Sequence, residues 1–209
     1  MNKLILLSWI LLFSCTEKNS INFISDAIQF HSPDTRGINR YDTIPIDLRR
    51  SEIRWKGTKL MGLGKHEGEI KIQKRVLVQR NGQWSGGNFT VSMNTLTVTD
   101  IPASDPIPLR NLTNHLKGED FFDVERFPVS HFSITKFEPI EGSFYRVTGI
   151  LEIKGIGNPV SFAAESRGKT ISANFKINRF DWNIAYEGSW ADLTLVDRDI
   201  EFWVKLVLP

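Results

Sequence analysis

The fold class of this 209-residue chain is decided by the stretch YRVTGILEI, residues 145–153. Tyr145, Val147, Leu151 and Ile153 alternate there with mostly polar neighbours, and a period of two places them on one face of a β-strand. The same alternation recurs in segments 53–57, 89–93, 160–162, 171–177 and 200–208. The chain is therefore predicted to consist mainly of strands, each with one buried face.

Short turn signals separate the alternating segments. They are Asn81-Gly82, Glu141-Gly142, residues 155–159 (GIGNP) and Arg167-Gly168. Many short strands joined by turns at near-regular spacing are typical of an antiparallel sandwich or barrel.

One segment departs from this pattern. Residues 108–117 place Leu109, Leu112 and Leu116 on one helical face, and Gly118 follows as a stop signal. We predict a single short helix there, on a long connection between two strands, where it could close one end of a barrel. No internal repeat or second domain is evident.

The composition excludes several classes of protein. Hydrophobic residues make up 41% and charged residues 24%, which is enough apolar surface for a folded core. The 26 Lys and Arg nearly balance the 24 Asp and Glu, whereas nucleic-acid-binding domains usually carry a clustered cationic excess. We therefore expect no nucleic-acid partner. The single cysteine, Cys15, excludes an intramolecular disulfide and a cysteine-based metal cluster.

The N-terminus has the features of an exported bacterial protein. Lys3 precedes an apolar run over residues 4–13 that is shorter than the ~20 residues a membrane-spanning helix needs. A positive start, a short apolar run and then small residues are typical of a signal peptide. Cys15 follows Leu12-Phe13-Ser14, which resembles the lipobox, in which cleavage before the cysteine is coupled to acylation of its thiol.

These features predict a division of the chain into three parts. Residues 1–14 form a lipoprotein signal peptide, residues 15–42 form the lipidated Cys15 and a tether, and residues 43–209 form the barrel domain. The lipid would anchor the protein to a membrane of the bacterial envelope, on the periplasmic side or at the surface of the outer membrane. The alternative for residues 1–15 is an ordinary signal peptide with a chance cysteine. For the segment before the barrel, the apolar residues between Ile21 and Phe30 leave open a helix or a segment that packs on the domain.

Several motifs of the strand-rich region occur in a recognisable order. They are residues 55–59 (WKGTK), 66–68 (HEG), 86–96 (GGNFTVSMNTL), 115–128 (HLKGEDFFDVERFP), 147–155 (VTGILEIKG) and 175–184 (FKINRFDWNI). In this order and spacing they resemble the YceI-like family of bacterial lipid- or polyisoprenoid-binding proteins. The resemblance covers about residues 44–208 and is most specific over 115–128. It implies an eight-stranded antiparallel, lipocalin-like β-barrel whose elongated apolar interior holds an isoprenoid or fatty-acyl chain.

Two functions from different classes are compatible with such a barrel. An eight-stranded barrel is wide enough either to hold one small ligand or to be filled by its own side chains. A buried acyl or isoprenoid chain gains about 0.8 kcal/mol per CH₂ before ordering costs, so no charged anchor is needed for binding. We predict non-catalytic binding of such a chain by an envelope carrier, storage or sensing lipoprotein. The alternative is a ligand-free, filled barrel that serves as an interaction or structural module.

The candidate ligand contacts are inward-facing residues or residues near the mouth of the predicted barrel. They are Trp55, Lys59, His66, Phe89, Val91, Met93, Phe121, Phe132, Phe175, Ile177 and Arg179. The aromatic residues among them could equally fill the interior. His66 and Lys59 flank a glycine-containing loop and could meet a polar headgroup. Arg179 has inward parity, so it is either a headgroup contact or half of a buried ion pair.

The sequence shows no arrangement that carries catalysis. His31, His115 and His131 have no metal-ligand spacing with each other or with carboxylates, and no Ser/His/Asp order, phosphate-binding loop or nucleophile elbow is present. We therefore expect no catalytic residue, no metal and no cofactor, that is, a protein that is not an enzyme.

Overall fold

The structure is a computed structural model that describes residues 40–185 and 196–209. The predicted signal peptide, Cys15, nearly all of the predicted tether and His31 lie outside the described residues.

The described residues form nine β-strands and one α-helix. The strands are β1 Tyr41–Ile44, β2 Glu52–Lys59, β3 Gly64–Arg80, β4 Gln83–Val98, β5 Val129–Pro139, β6 Phe144–Ile153, β7 Ile156–Arg167, β8 Thr170–Asn178 and β9 Val196–Val207. The helix α1 spans Pro106–Lys117, and a short 3₁₀ turn spans Arg179–Trp182. The helix begins two residues before the predicted start, because Pro106 fits the first helical turn, where no N–H partner is needed.

Strands β2 to β9 close into an eight-stranded antiparallel barrel, as predicted. Each strand pairs with the next along the chain, and β9 returns to pair with β2. Strand β1 is a short addition that pairs with the distal half of β3, over Leu77 to Arg80, where β2 no longer reaches. The lengths of β3 and β4, 17 and 16 residues, exceed the short strands expected from the sequence.

The register defines two ends of the barrel. The helix end contains the β2–β3 hairpin, the β4–β5 connection that carries α1, and the β6–β7 turn. The turn end contains the β3–β4, β5–β6 and β7–β8 turns. At the turn end, Asn81 and Gly82 both have positive φ, 53° and 79°, as a two-residue hairpin turn requires.

The turn predicted over residues 155–159 is shorter than expected, so the prediction of its length is wrong. The turn consists of Lys154 and Gly155, with φ of 53° and 73°, and Pro159 already lies inside β7. A proline is tolerated there because β7 pairs with β8 over only four positions, 164–167, and has a single neighbour at Pro159. The GIGNP motif therefore marks a half-paired strand as well as a turn.

The buried apolar side chains form two separate clusters. One lies at the helix end and includes Leu96, Leu116, Ile153 and Trp182. The other lies toward the turn end and includes Ile46, Leu77, Val147 and Ile171. A filled domain of this size normally has one continuous core, so the division indicates that packed side chains do not fill the middle of the barrel.

Candidate functional site

An apolar cavity of about 260 Å³ lies between the two core clusters and runs along the barrel. All eight barrel strands contribute to its wall, and so do α1 and the loop that follows it. Its lining is almost entirely hydrocarbon and aromatic side chain. At the turn end it is bounded by residues such as Leu77 and Leu206, and at the helix end it reaches Lys59 and His66.

An aromatic belt crosses the wall of this cavity; we define it as Trp55, Phe89, Phe132, Phe162, Phe175 and Phe202. Phe162 and Phe175 stack face to face, with ring centroids 4.2 Å apart and an interplanar angle of 8°. Phe175 also lies 5.6 Å from Phe202, and Phe132 lies 5.7 Å from Phe162. Four of these rings (Phe132, Phe162, Phe175, Phe202) point inward and yet are only half-buried, because they border the cavity instead of a packed neighbour.

Two glycines make room for the belt. Gly68 pairs with Trp55 across β2 and β3, and a Cβ there would lie 2.6 Å from the indole ring. Gly149 on β6 lies beside Phe132, and its Cβ would lie 2.7 Å from that ring. Since real Cβ atoms do not approach so closely, both rings need glycine on the neighbouring strand to lie flat against the wall.

Polar side chains gather at the helix end of the cavity. His66 Nδ1 lies 2.9 Å from Asp100 Oδ2, and Asp100 Oδ1 accepts a hydrogen bond from the Glu67 N–H at 3.0 Å. Lys59 and Lys65 line the same end, and Lys65 forms an ion pair with Glu67 at 2.8 Å that raises the pKa of the lysine. This end is therefore the mouth of the cavity, where a polar group of a ligand would meet charged and hydrogen-bonding partners.

The carboxylate of Asp197, on β9, organises the β2–β3 hairpin beside this mouth. It accepts hydrogen bonds from the Thr58 hydroxyl and from the backbone N–H groups of Met61 and Gly62, the latter two at 3.0 Å. The Thr58 bond, followed by the two backbone bonds, holds the pKa of Asp197 below its usual value.

One polar atom inside the cavity wall has no partner. Trp55 Nε1 is buried and makes no hydrogen bond with the residues that the structure describes. Trp55 is 8% exposed, and its neighbours across the ladder are Gly68 and Phe202. A buried N–H without an acceptor is unfavourable by about 1–3 kcal/mol, and this atom has almost no surface open to the cavity, so it stays an unpartnered donor inside the wall.

The α1 region closes the rest of the helix end. Leu112, Leu116, Phe121 and Phe122 line the cavity, and the rings of Phe121 and Phe122 meet edge to face at 5.0 Å. Backbone hydrogen bonds tie the loop after α1 to the end of the helix, from Phe122 N to the Leu116 carbonyl and from Asp123 N to the Gly118 carbonyl. This position agrees with the sequence prediction that the helix could close one end of the barrel.

Most of the predicted contact residues border the cavity. These are Trp55, Lys59, His66, Phe89, Val91, Met93, Phe121, Phe132 and Phe175. Ile177 and Arg179 do not. Ile177 has the predicted inward parity but packs within the helix-end cluster, beyond the cavity.

Arg179 is buried, as its inward parity predicted, but the prediction that the alternating strand extends to it is wrong. Strand β8 ends at Asn178, so the alternation does not extend to residue 179, which begins the 3₁₀ turn. The residue is 1% exposed, and its guanidinium donates to the carbonyls of Ile184, Asp197 and Val196 at 2.7, 3.1 and 3.2 Å. Among the described contacts its role is to hold together the backbone between β8 and β9.

Sequence reasoning missed several lining residues. Phe162 and Phe202 lie at inward positions of alternating segments, so the periodicity that identified Phe175 could have identified them too. Leu112 and Phe122 line the cavity only because α1 folds over the barrel end, which no local pattern reveals. Within residues 40–185 and 196–209, no three His, Cys, Asp or Glu side chains are grouped to hold a metal ion. In the same ranges, no helix has the length and hydropathy to cross a bilayer.

Comparison with known proteins agrees with this architecture. The chain is 38% identical over 55 residues to the UPF0312 protein plu2095 of Photorhabdus laumondii, a match that spans 26% of this chain and 28% of that protein. The crystal structure of BcnA from Burkholderia cenocepacia superposes with a TM-score of 0.63 at 21% identity, covering 78% of this chain and 99% of BcnA. A polyisoprenoid binding domain from Saccharophagus degradans superposes with a TM-score of 0.52 at 10% identity, covering 82% and 99% of the two chains.

The family model for the YceI-like domain matches residues 45–208, which include all eight barrel strands, β2 to β9. The barrel, its single helix and this match lead to one conclusion: the chain belongs to the YceI-like domain family.

Proposed function

We propose that this protein binds a long-chain hydrophobic ligand, a polyisoprenoid or a fatty-acyl lipid, without catalysis. The observation that carries the proposal is the apolar cavity of about 260 Å³ that separates the two core clusters. Each buried CH₂ of a chain contributes about 0.8 kcal/mol before ordering costs, and the hydrocarbon wall offers an elongated partner surface. The polyisoprenoid binding domain of Saccharophagus degradans has the same fold and supports this class of ligand.

The ligand is oriented with its polar end at the helix end of the barrel. His66 and Lys59 supply polar groups there. The remaining wall toward the turn end offers almost no hydrogen-bonding group. An oxygen-bearing head near His66 and Lys59 and an apolar tail between the aromatic belt and the turn end therefore match the two halves of the cavity.

The proposal extends to the place where the protein works. Cys15 as a lipidated N-terminus and residues 15–42 as a tether would hold the barrel at a membrane of the bacterial envelope, where it acts as a carrier, store or sensor of the ligand. Mass spectrometry of the N-terminal peptide tests this part on its own. A diacylated or triacylated Cys15 is the expected result, and an unmodified thiol or cleavage elsewhere contradicts it.

The binding proposal is tested by native mass spectrometry of residues 16–209 produced in bacteria, with extraction and identification of bound small molecules. A stoichiometric isoprenoid or acyl species is the expected result. A ligand-free mass that does not shift after incubation with farnesol, geranylgeraniol or palmitate contradicts the proposal. It would support the alternative, a ligand-free interaction or structural module.

A further inference from the structure

The tip of the β2–β3 hairpin exposes an unusual amount of apolar surface. Leu60, Met61 and Leu63 are 42%, 94% and 87% exposed, although they lie within four consecutive residues. Met61 and Leu63 are the two most exposed large hydrophobic side chains among the described residues. Single exposed apolar residues are common on protein surfaces, whereas a group at the end of a projecting hairpin indicates an interaction site.

The hairpin tip is held in this outward conformation. Leu60 and Met61 have φ of 53° and 56°, in the left-handed region that non-glycine residues seldom adopt. The Asp197 carboxylate accepts hydrogen bonds from Met61 N and Gly62 N and so fixes the tip to β9. Because an unfavourable backbone conformation persists only where surrounding contacts enforce it, the exposure of these side chains is a built feature.

The tip stands beside the mouth of the cavity, between two lysines. Lys59 and Lys65 flank it and both line the mouth. The nearby carboxylates are already engaged: Glu67 with Lys65, Asp100 with His66, and Asp197 with the hairpin. The aliphatic part of the Lys59 side chain lies over Gly64, and Lys59 makes no hydrogen bond with the residues that the structure describes. Its ammonium group is therefore available to a phosphate.

We propose that the hairpin tip, residues 60–63, is a membrane-contact site that inserts Leu60, Met61 and Leu63 into the interfacial region of a phospholipid bilayer. Lys59 then extends toward the headgroup phosphates. A bilayer fits better than a protein because four residues on a convex tip fall far below the roughly 800 Å² per partner of a stable protein interface. The inference deepens the proposed function, on which it rests: it places the mouth against the source of the ligand.

The test measures the depth of the tip in a bilayer, using the full chain with Cys15→Ser so that a single new cysteine can be labelled. One protein carries Met61→Cys and a matched control carries Glu141→Cys, in the turn at the opposite end of the barrel. Both are labelled with an environment-sensitive fluorophore and mixed with vesicles of phosphatidylcholine and phosphatidylglycerol that contain a spin-labelled quenching lipid. Attachment through residues 1–39 is common to both proteins and does not distinguish them.

Quenching and a blue shift at position 61, with neither at position 141, are the expected result. Leu63→Asp should abolish the quenching, whereas Ile140→Asp, the same change at the turn end, should not. Equal quenching at both positions, none at either, or quenching at 61 that Leu63→Asp leaves unchanged overturns the inference. Native mass spectra of the same proteins separate this result from the proposed function, since a bound ligand without tip insertion refutes only the membrane contact.

Discussion

Replacing Ala173 by leucine should stabilise the barrel and reduce its capacity for ligand. Ala173 lies on β8 and borders the cavity, half-buried, opposite Ala164 on β7. Leucine adds three carbon atoms, which contribute up to about 2.4 kcal/mol if all are removed from water. Ordering the larger side chain offsets about 0.5–1 kcal/mol of this, which leaves a net gain of about 1.5 kcal/mol in the free energy of unfolding.

The sign of this change distinguishes an open interior from a filled one. In a packed core the same insertion forces side chains from their preferred rotamers and destabilises by about 1–3 kcal/mol. Urea denaturation of delipidated protein is the appropriate assay, because bound ligand would itself stabilise the native state. Ala163→Leu, on the outward face of β7, is the matched control and should change stability by no more than about 0.5 kcal/mol. Destabilisation by Ala173→Leu beside a neutral Ala163→Leu would refute the open cavity.

Three further predictions address the wall, the donor and the hairpin. Gly149→Ala places a Cβ 2.5 Å from the Ser133 carbonyl, and should lower the free energy of unfolding by about 1–3 kcal/mol in urea titrations; an unchanged midpoint contradicts this. Trp55→Phe removes a buried N–H that has no acceptor, so it should leave the free energy of unfolding within about 1 kcal/mol of wild type in urea titrations; a larger loss contradicts the assignment of that N–H as unpartnered. The lowered pKa of Asp197 means that its charge stabilises the fold above about pH 3.8 and that this contribution is lost as the pH falls through the lower, folded-state value. The difference in denaturation midpoint between wild type and Asp197→Asn should therefore shrink as the solution is acidified, and a constant difference would contradict the assignment.

Much of the fold follows from local periodicity. The alternation over residues 145–153 predicts a strand because each inward position is apolar, and the structure places β6 there. Asn81-Gly82 predicts its hairpin because both residues tolerate positive φ. The extent of β7 could not be predicted, because Pro159 signals a chain break unless the missing neighbour on its β8 side is known.

The candidate site was predictable only in part. Inward parity identifies Phe89, Phe132 and Phe175, but parity does not distinguish a wall of the cavity from a packed core, and Ile177 belongs to the core. The Asp197 carboxylate on β9 accepts a hydrogen bond from the Met61 N–H in the hairpin, and these two residues are 136 positions apart in the chain. No local pattern encodes such a contact, since it depends on the return of β9 to β2.

The short ladder between β7 and β8 has a consequence for how the barrel wall responds to a ligand. Those two strands share four paired positions, and beyond them the stacked rings of Phe162 and Phe175 continue the wall. Backbone hydrogen bonds weaken steeply with angle and distance, whereas apolar contact between rings is non-directional. The circumference of the barrel is thus fixed by backbone hydrogen bonds between its other strand pairs. Between β7 and β8, beyond the four paired positions, it depends on contact between the two rings. We therefore expect a ligand slightly too wide for the interior to separate Phe162 from Phe175 at this seam and to leave every backbone ladder intact.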